Sequence, residues 1–298
     1  MKTIERRYSN RRAASLAGTF TRTLPRSAMF SFARFLAVVV ALASTGAAQS
    51  DQDLARTIPP PASRPQVIDP YAAAGPTIYV TDASGHLATI TLGTYSVHIL
   101  GSEGVVLTDI GFSPKDGQLY GVSFGAFYRL NRETGKATLI GELGISDANA
   151  LVFDGQGVGY TEGFESSELY TIDPKTGHVS PVGSTAPFKS AGDLTFYNSG
   201  LVLSGYSQSS LTRTTPDTLV LLDPKTARPL AYAELKITNL FGIVCTGKDL
   251  LFGFAGTSVY ELFPGKENIE QRAVLLKDLS STGLSQIYGA AYDGYFLY

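Results

Sequence analysis

What this chain of 298 residues lacks narrows it before anything it contains. A single cysteine, Cys245, makes an intramolecular disulfide impossible. Its apolar setting, Gly-Ile-Val-Cys-Thr-Gly, marks a small buried hydrophobe rather than a nucleophile. The three histidines, His86, His98 and His178, fall in a loop, a strand and a turn that do not converge. A histidine-based zinc site and a Ser–His triad lose their support. Positive charge is scarce after the first 50 residues: subtracting that segment leaves 16 basic and 25 acidic residues, a net of −9. Nucleic acids and anionic membranes are bound mainly through positive charge, so neither is an expected partner. No apolar run approaches the ~20 residues that span a bilayer. Gly155-Gln156-Gly157-Val158-Gly159 has no helix behind it to receive phosphate, which excludes a nucleotide loop.

Residues 1–50 differ from the rest. They hold eight Lys or Arg against Glu5 alone, then an apolar run from Phe35 to Ala43, then Ser44-Thr45-Gly46-Ala47-Ala48. That order predicts a secretory signal over 1–48, cleaved near Ala47 or Ala48, and an exported mature protein, periplasmic or extracellular. Met29 offers a second start. Arg6-Arg7 and Arg11-Arg12 are doubled as in twin-arginine signals but lie far from the apolar core. Residues 49–74 are rich in Pro and Ala, and Pro59-Pro60-Pro61 favours an extended, disordered tether without a core.

The stretch from Asp109 to Leu143 organises the remainder. Ile110 to Phe112 is short and apolar, and Ser113-Pro114-Lys115-Asp116-Gly117 is strong turn chemistry. Leu119 to Ser123 and Ala126 to Leu130 follow as strands. Asn131-Arg132-Glu133-Thr134-Gly135 closes a hairpin onto Ala137 to Gly141. The unit thus has four antiparallel strands, a to d. Aligned on the bulky residue ending strand a, its copies fall at Phe112, Phe153, Phe196, Val244 and Tyr292, spaced 41, 43, 48 and 48 residues. Four strands per 40–50 residues is the signature of propeller blades. Asp173-Pro174-Lys175-Thr176-Gly177 and Asp223-Pro224-Lys225-Thr226-Ala227 repeat the c–d turn. Ala227 stands where Gly is expected, a strained position or another turn type.

Thr77 to Thr81, Leu87 to Leu92 and Ser96 to Leu100 supply strands b, c and d with no strand a before them. Ile287 to Tyr292 is a strand a with no blade after it. The ends therefore meet in one composite blade, giving an all-β, five-bladed propeller over 75–298; an open ring would leave unpaired strand edges exposed to aggregation.

At these repeats the chain resembles bacterial exported propellers with quinoprotein-like or NHL/YVTN-like repeats. The pattern is [Asp/Ala]-[Ile/Leu]-x-Phe-[Ser/Asp], then [Leu/Gly]-Tyr, then [Phe/Leu]-Tyr-x-[Leu/Ile]-[Asn/Asp]-x-x-Thr-Gly, best seen at Asp109 to Gly135 and Ala150 to Gly177. The resemblance implies the fold. The tryptophan that follows Thr-Gly in quinoprotein repeats is absent, so pyrroloquinoline quinone is not implied.

Inner-strand starts and b–c loops share one face of a propeller. Asp109, Asn149, Asp193 and Asn239 are expected near the channel mouth there, as ligand contacts or satisfying strand-start backbone groups. Hard oxygens of this kind suit calcium, with Asp109 and Asp193 the candidate metal ligands. The longest b–c loop, Tyr206 to Asp217, offers Tyr206 and Arg213 for partner contact, since loop variation is where scaffolds place specificity. The functional expectation is a monomeric, non-catalytic propeller binding a protein or glycan through its b–c loops. The alternative is a propeller hydrolase or lactonase with a metal or carboxylate site at the mouth, which needs two carboxyls about 5–9.5 Å apart.

Overall fold

The computed structural model describes residues 54–60, 75–207, 215–247 and 250–294. The expected signal over 1–48 and Arg213 lie outside them. Five four-stranded antiparallel sheets make five blades; four pair their strands in chain order from the centre outward, and the first begins with the last strand of the chain. The first blade comprises β1 (Thr77–Asp82), β2 (His86–Thr91) and β3 (Ser96–Ser102). The second is β4 (Asp109–Ser113), β5 (Gln118–Val122), β6 (Ala126–Leu130) and β7 (Ala137–Glu142). The third is β8 (Val152–Phe153), β9 (Gly159–Glu162), β10 (Glu168–Ile172) and β11 (Val179–Ser184). The fourth is β12 (Phe188–Tyr197), β13 (Gly200–Ser207), β14 (Thr218–Leu222) and β15 (Pro229–Glu234). The fifth is β16 (Leu240–Thr246), β17 (Leu250–Ala255), β18 (Ser258–Leu262) and β19 (Ala273–Asp278). β20 (Ile287–Tyr292) pairs antiparallel with β1 and completes the first blade, as the missing strand a requires.

Strand side chains alternate between faces, and here each blade presents apolar residues to both neighbours. The core is accordingly five clusters, one per seam between blades. Ile78, Ile90, Phe252 and Phe254 fill the seam that closes the ring. Tyr120, Phe127 and Phe153 fill that between the second and third blades, with Tyr120 stacked on Phe127 at 5.1 Å.

The c–d turns share one geometry. The N–H groups of Gly135, Gly177 and Ala227 donate back to Asn131, Asp173 and Asp223, and all three residues have positive φ. Ala227 (φ 63°) therefore takes the strained option. A left-handed Ala costs about 1–2 kcal/mol, which its fully buried methyl offsets by nearly 1 kcal/mol.

Residues 54–60, part of the stretch read as a tether, lie against the outside of the ring. Leu54 enters the seam between the third and fourth blades and Ile58 that between the fourth and fifth. Between them Ala55 bridges the outer edge of β15, accepting from Tyr232 N–H at 2.8 Å. The buried Arg272 donates to the Arg56 carbonyl at 3.0 Å. Two buried apolar anchors and a covered edge make this strap part of the fold. Ile58→Ala is expected to cost about 2–5 kcal/mol, read from the urea midpoint of the purified chain.

Candidate functional site

The inner strands place equivalent residues in layers around the channel. The pairing of β16 with β17 breaks step between Leu240 and Gly242. That irregularity moves the fifth blade by one, so Cys245 rather than Val244 is its counterpart of Phe112. With this correction three layers become regular. Thr108, Asn149, Gly192, Phe241 and Tyr288 form the uppermost and all line the mouth. Below them lie Asp109, Ala150, Asp193, Gly242 and Gly289. Next come Ile110, Leu151, Leu194, Ile243 and Ala290.

Asp109 and Asp193 meet at the centre although their blades are not neighbours, and both are fully buried. Asp109 accepts from the N–H of Ile110 at 2.7 Å and of Leu151 at 2.5 Å. Asp193 accepts from the N–H of Leu194 at 2.6 Å, of Ile243 at 2.7 Å, and of Ala290. Each blade thus aims one backbone donor of the third layer at this pair, and the two carboxyls also hydrogen-bond to each other. Burial, and for Asp109 the charge of Asp193, pushes both well above the ordinary carboxylate range. Two like charges in contact cannot both stay ionised in a dry site. Sharing a proton is thereby favoured, and backbone N–H groups face the charge that remains.

This floor leaves no room beside it. A Cβ on Gly289 would come within 2.7 Å of the Asp109 Cα and 2.9 Å of the Ile110 nitrogen. Gly289→Ala is expected to lower stability by about 1–3 kcal/mol through overpacking, measured by urea denaturation. Two hydrogen-bonded carboxyls stand closer than the spacing glycoside hydrolysis uses. Calcium at Asp109 and Asp193 would have to displace five N–H donors. Among the described residues no group of three or more His, Cys, Asp or Glu is placed to hold a metal.

Above the floor opens a mouth of about 710 Å³, and below it a separate space of about 80 Å³ lies between Phe112, Phe153, Phe196 and Tyr292. The channel is therefore blocked midway. Two edge-to-face aromatic pairs border the mouth. Phe124 and Phe164, from the b–c loops of the second and third blades, have centroids 5.5 Å apart. Phe241 and Tyr288, from inner strands of the fifth and first, are 5.9 Å apart. Asn149, Asn239 and Gln286 add carboxamides, and no described residue lining the mouth is charged. Asn149 is only 7% exposed, and its carboxamide oxygen is buried without a hydrogen-bond partner.

Of the expected contacts, Asn149 and Asn239 line the mouth, while Asp109 and Asp193 lie beneath it. Asn239 is exposed with φ 58°, at the entry to β16. The Tyr206 hydroxyl donates to the Phe164 carbonyl at 2.9 Å, in the b–c loop of the third blade. Asp147 holds the same loop through the N–H groups of Glu165 and Ser166 at 3.2 and 3.0 Å. The aromatic rim escaped residue-type reasoning that looked for polar groups. Its signal was there, since Phe124 and Phe164 are large apolar residues in loops, where burial does not explain them.

Other carboxyls are buried between blades. Burial pushes Glu103 up to about 8. It does the same to Glu162, also to about 8, although Thr185 donates to it at 2.7 Å. Asp82 goes the other way: burial alone would raise it, but the N–H groups of Ser285 and His86 hold it below the ordinary range.

No family model and no curated protein matches the chain. Several solved structures are similar to it at low identity. One is a symmetrical protein whose de novo evolutionary emergence is shaped by folding constraints, 22% identical over 72% of this chain and 92% of its own, with a TM-score of 0.44. A chain of the nidogen/laminin complex is 13% identical over 72% of this chain and 97% of its own, TM-score 0.48. A Bacteroides caccae protein of unknown function is 10% identical over the same shares, TM-score 0.43.

Proposed function

We propose that this propeller is a non-catalytic binding module whose ligand sits in the channel mouth. The observation that carries the reading is the mouth itself: a recess of about 710 Å³, within the 300–1,000 Å³ typical of ligand sites, with aromatic walls and few polar groups. The carboxamides of Asn149, Asn239 and Gln286 are among the polar groups of that lining. Chemistry at the floor is disfavoured because both carboxyls are sealed from solvent and occupied by backbone donors. The N-terminal 48 residues fit export of the module to the periplasm or beyond. N-terminal sequencing of the secreted chain should find a start near Gln49.

Screening neutral cyclic fragments by ligand-observed NMR tests the binding reading. Bound fragments should compete with one another and lose their signal on the Phe241→Ala/Tyr288→Ala variant, with the melting curve kept. Fragments that bind wild type and this variant equally well, or bind neither, would remove the mouth as the site.

A further inference from the structure

The mouth is a pit rather than a passage. The Asp109–Asp193 pair, fully buried and joined to all five blades, closes it from below. A dead end receives the end of a chain or a single ring. Peptide termini bring a charged ammonium or carboxylate, and no charged side chain among the described lining residues is there to meet one. Burying an unpaired charge is far costlier than burying a hydrogen-bonded neutral group. A purely aliphatic group would cover the carboxamides of Asn239 and Gln286 at the rim without offering them a hydrogen bond.

The group that meets all three conditions is uncharged, has flat apolar faces for aromatic rings, and carries hydroxyl donors around its edge. We infer, resting on the mouth as the binding site, that it takes the neutral terminal pyranose ring of a glycan. The ring lies against Phe241 and Tyr288 on one side and Phe124 and Phe164 on another. One sugar hydroxyl donates to Asn149 Oδ1. The amides of Asn239 and Gln286 serve further hydroxyls at the rim. Phe164 is held for this by Tyr206 and Asp147.

Saturation-transfer NMR on the full mature chain tests this with methyl glycosides of glucose, galactose, mannose and N-acetylglucosamine. Methyl glucuronide is the charged control, and the neutral fragments above are competitors. At least one neutral glycoside should take saturation at its ring C–H protons, be displaced by the fragments, and bind more tightly than the glucuronide. Asn149→Ala removes an acceptor with no internal partner, so it should fold normally and weaken that glycoside about tenfold, the worth of one hydrogen bond. If fragments bind the mouth and none of the four glycosides does, the sugar assignment is wrong and the binding site stands. Glycoside binding unchanged by Asn149→Ala and by Phe241→Ala/Tyr288→Ala also overturns it. If neither glycosides nor fragments bind, both readings fall.

Discussion

Asp109→Ala should lower the unfolding free energy by about 2–6 kcal/mol, roughly 1–3 for each of two buried N–H groups left without an acceptor. The substitution strands the N–H groups of Ile110 and Leu151 and leaves Asp193 charged without its proton-sharing partner. Asp109→Asn should cost only about 1–2 kcal/mol, because the amide still donates to Asp193 and its oxygen still accepts one of the two N–H groups. Small carboxylates such as formate should partly restore the alanine variant by occupying the vacated donors. Equal losses for Ala and Asn would mean that the shared hydrogen bond contributes nothing.

The same pair sets a pH dependence with a definite sign. An unfolded Asp titrates near 3.9, whereas the folded pair retains a proton well above that range. Its stabilisation is full below pH ~4 and is lost as pH rises through the folded value. Glu103 and Glu162, pushed to about 8, add the same trend between their unfolded value and about pH 8. Each retained proton gives a slope of about −1.4 kcal/mol per pH unit. Asp82, Asp173, Asp223 and Asp278 are lowered, so their contribution is lost only as pH falls through their folded values. Maximal stability is therefore expected in mildly acidic solution. Asp109→Asn should flatten the fall by one proton. A melting temperature constant or rising from pH 5 to 9 would contradict this.

Ending the chain before Ile287 should abolish cooperative folding. β20 is five residue pairings of the first blade, supplies Ile287 and Ala290 to the closing seam, and brings the Ala290 N–H to Asp193. Without it β1 becomes an open edge of the kind that aggregates. The truncated chain should lack a sharp thermal transition and elute as expanded or associated species. A synthetic peptide of residues 285–294 should restore the transition in trans. A truncated chain that melts sharply alone would mean that the other blades suffice.

Much of this architecture is legible in the residues because blade chemistry is local. Repeated turns such as Asp173 to Gly177, the short apolar inner strands, and an orphan strand at each end force a closed five-membered ring. The strand bounds at β6 and β20 follow directly from alternation between Gly and turn residues. The misplaced register in the fifth blade has a local cause: the irregularity at Leu240–Gly242 inserts a residue that no periodicity marks. Asp109 and Asp193 stood out as a matched pair of acids, yet the burial of Asp109 depends on Gly289 leaving space, a fact of packing across the ring. The strap of Leu54 and Ile58 was obscured because Pro-rich composition outweighs two apolar anchors in any local reading. That Tyr206 bonds the Phe164 carbonyl of a neighbouring blade is a long-range fact no local reading of its loop shows.

A carboxyl ¹³C NMR titration of Asp109 and Asp193, in the intact folded chain from pH 3 to 9, tests the floor most directly. A shared proton predicts that the pair ionises in two separate steps, with the ionisation displaced well above the ordinary carboxylate range. It also predicts that both resonances respond to each step. Two independent ionisations near pH 4 would mean that two charges sit side by side or that the carboxyls do not touch, and the sealed neutral pit above them would go with that result.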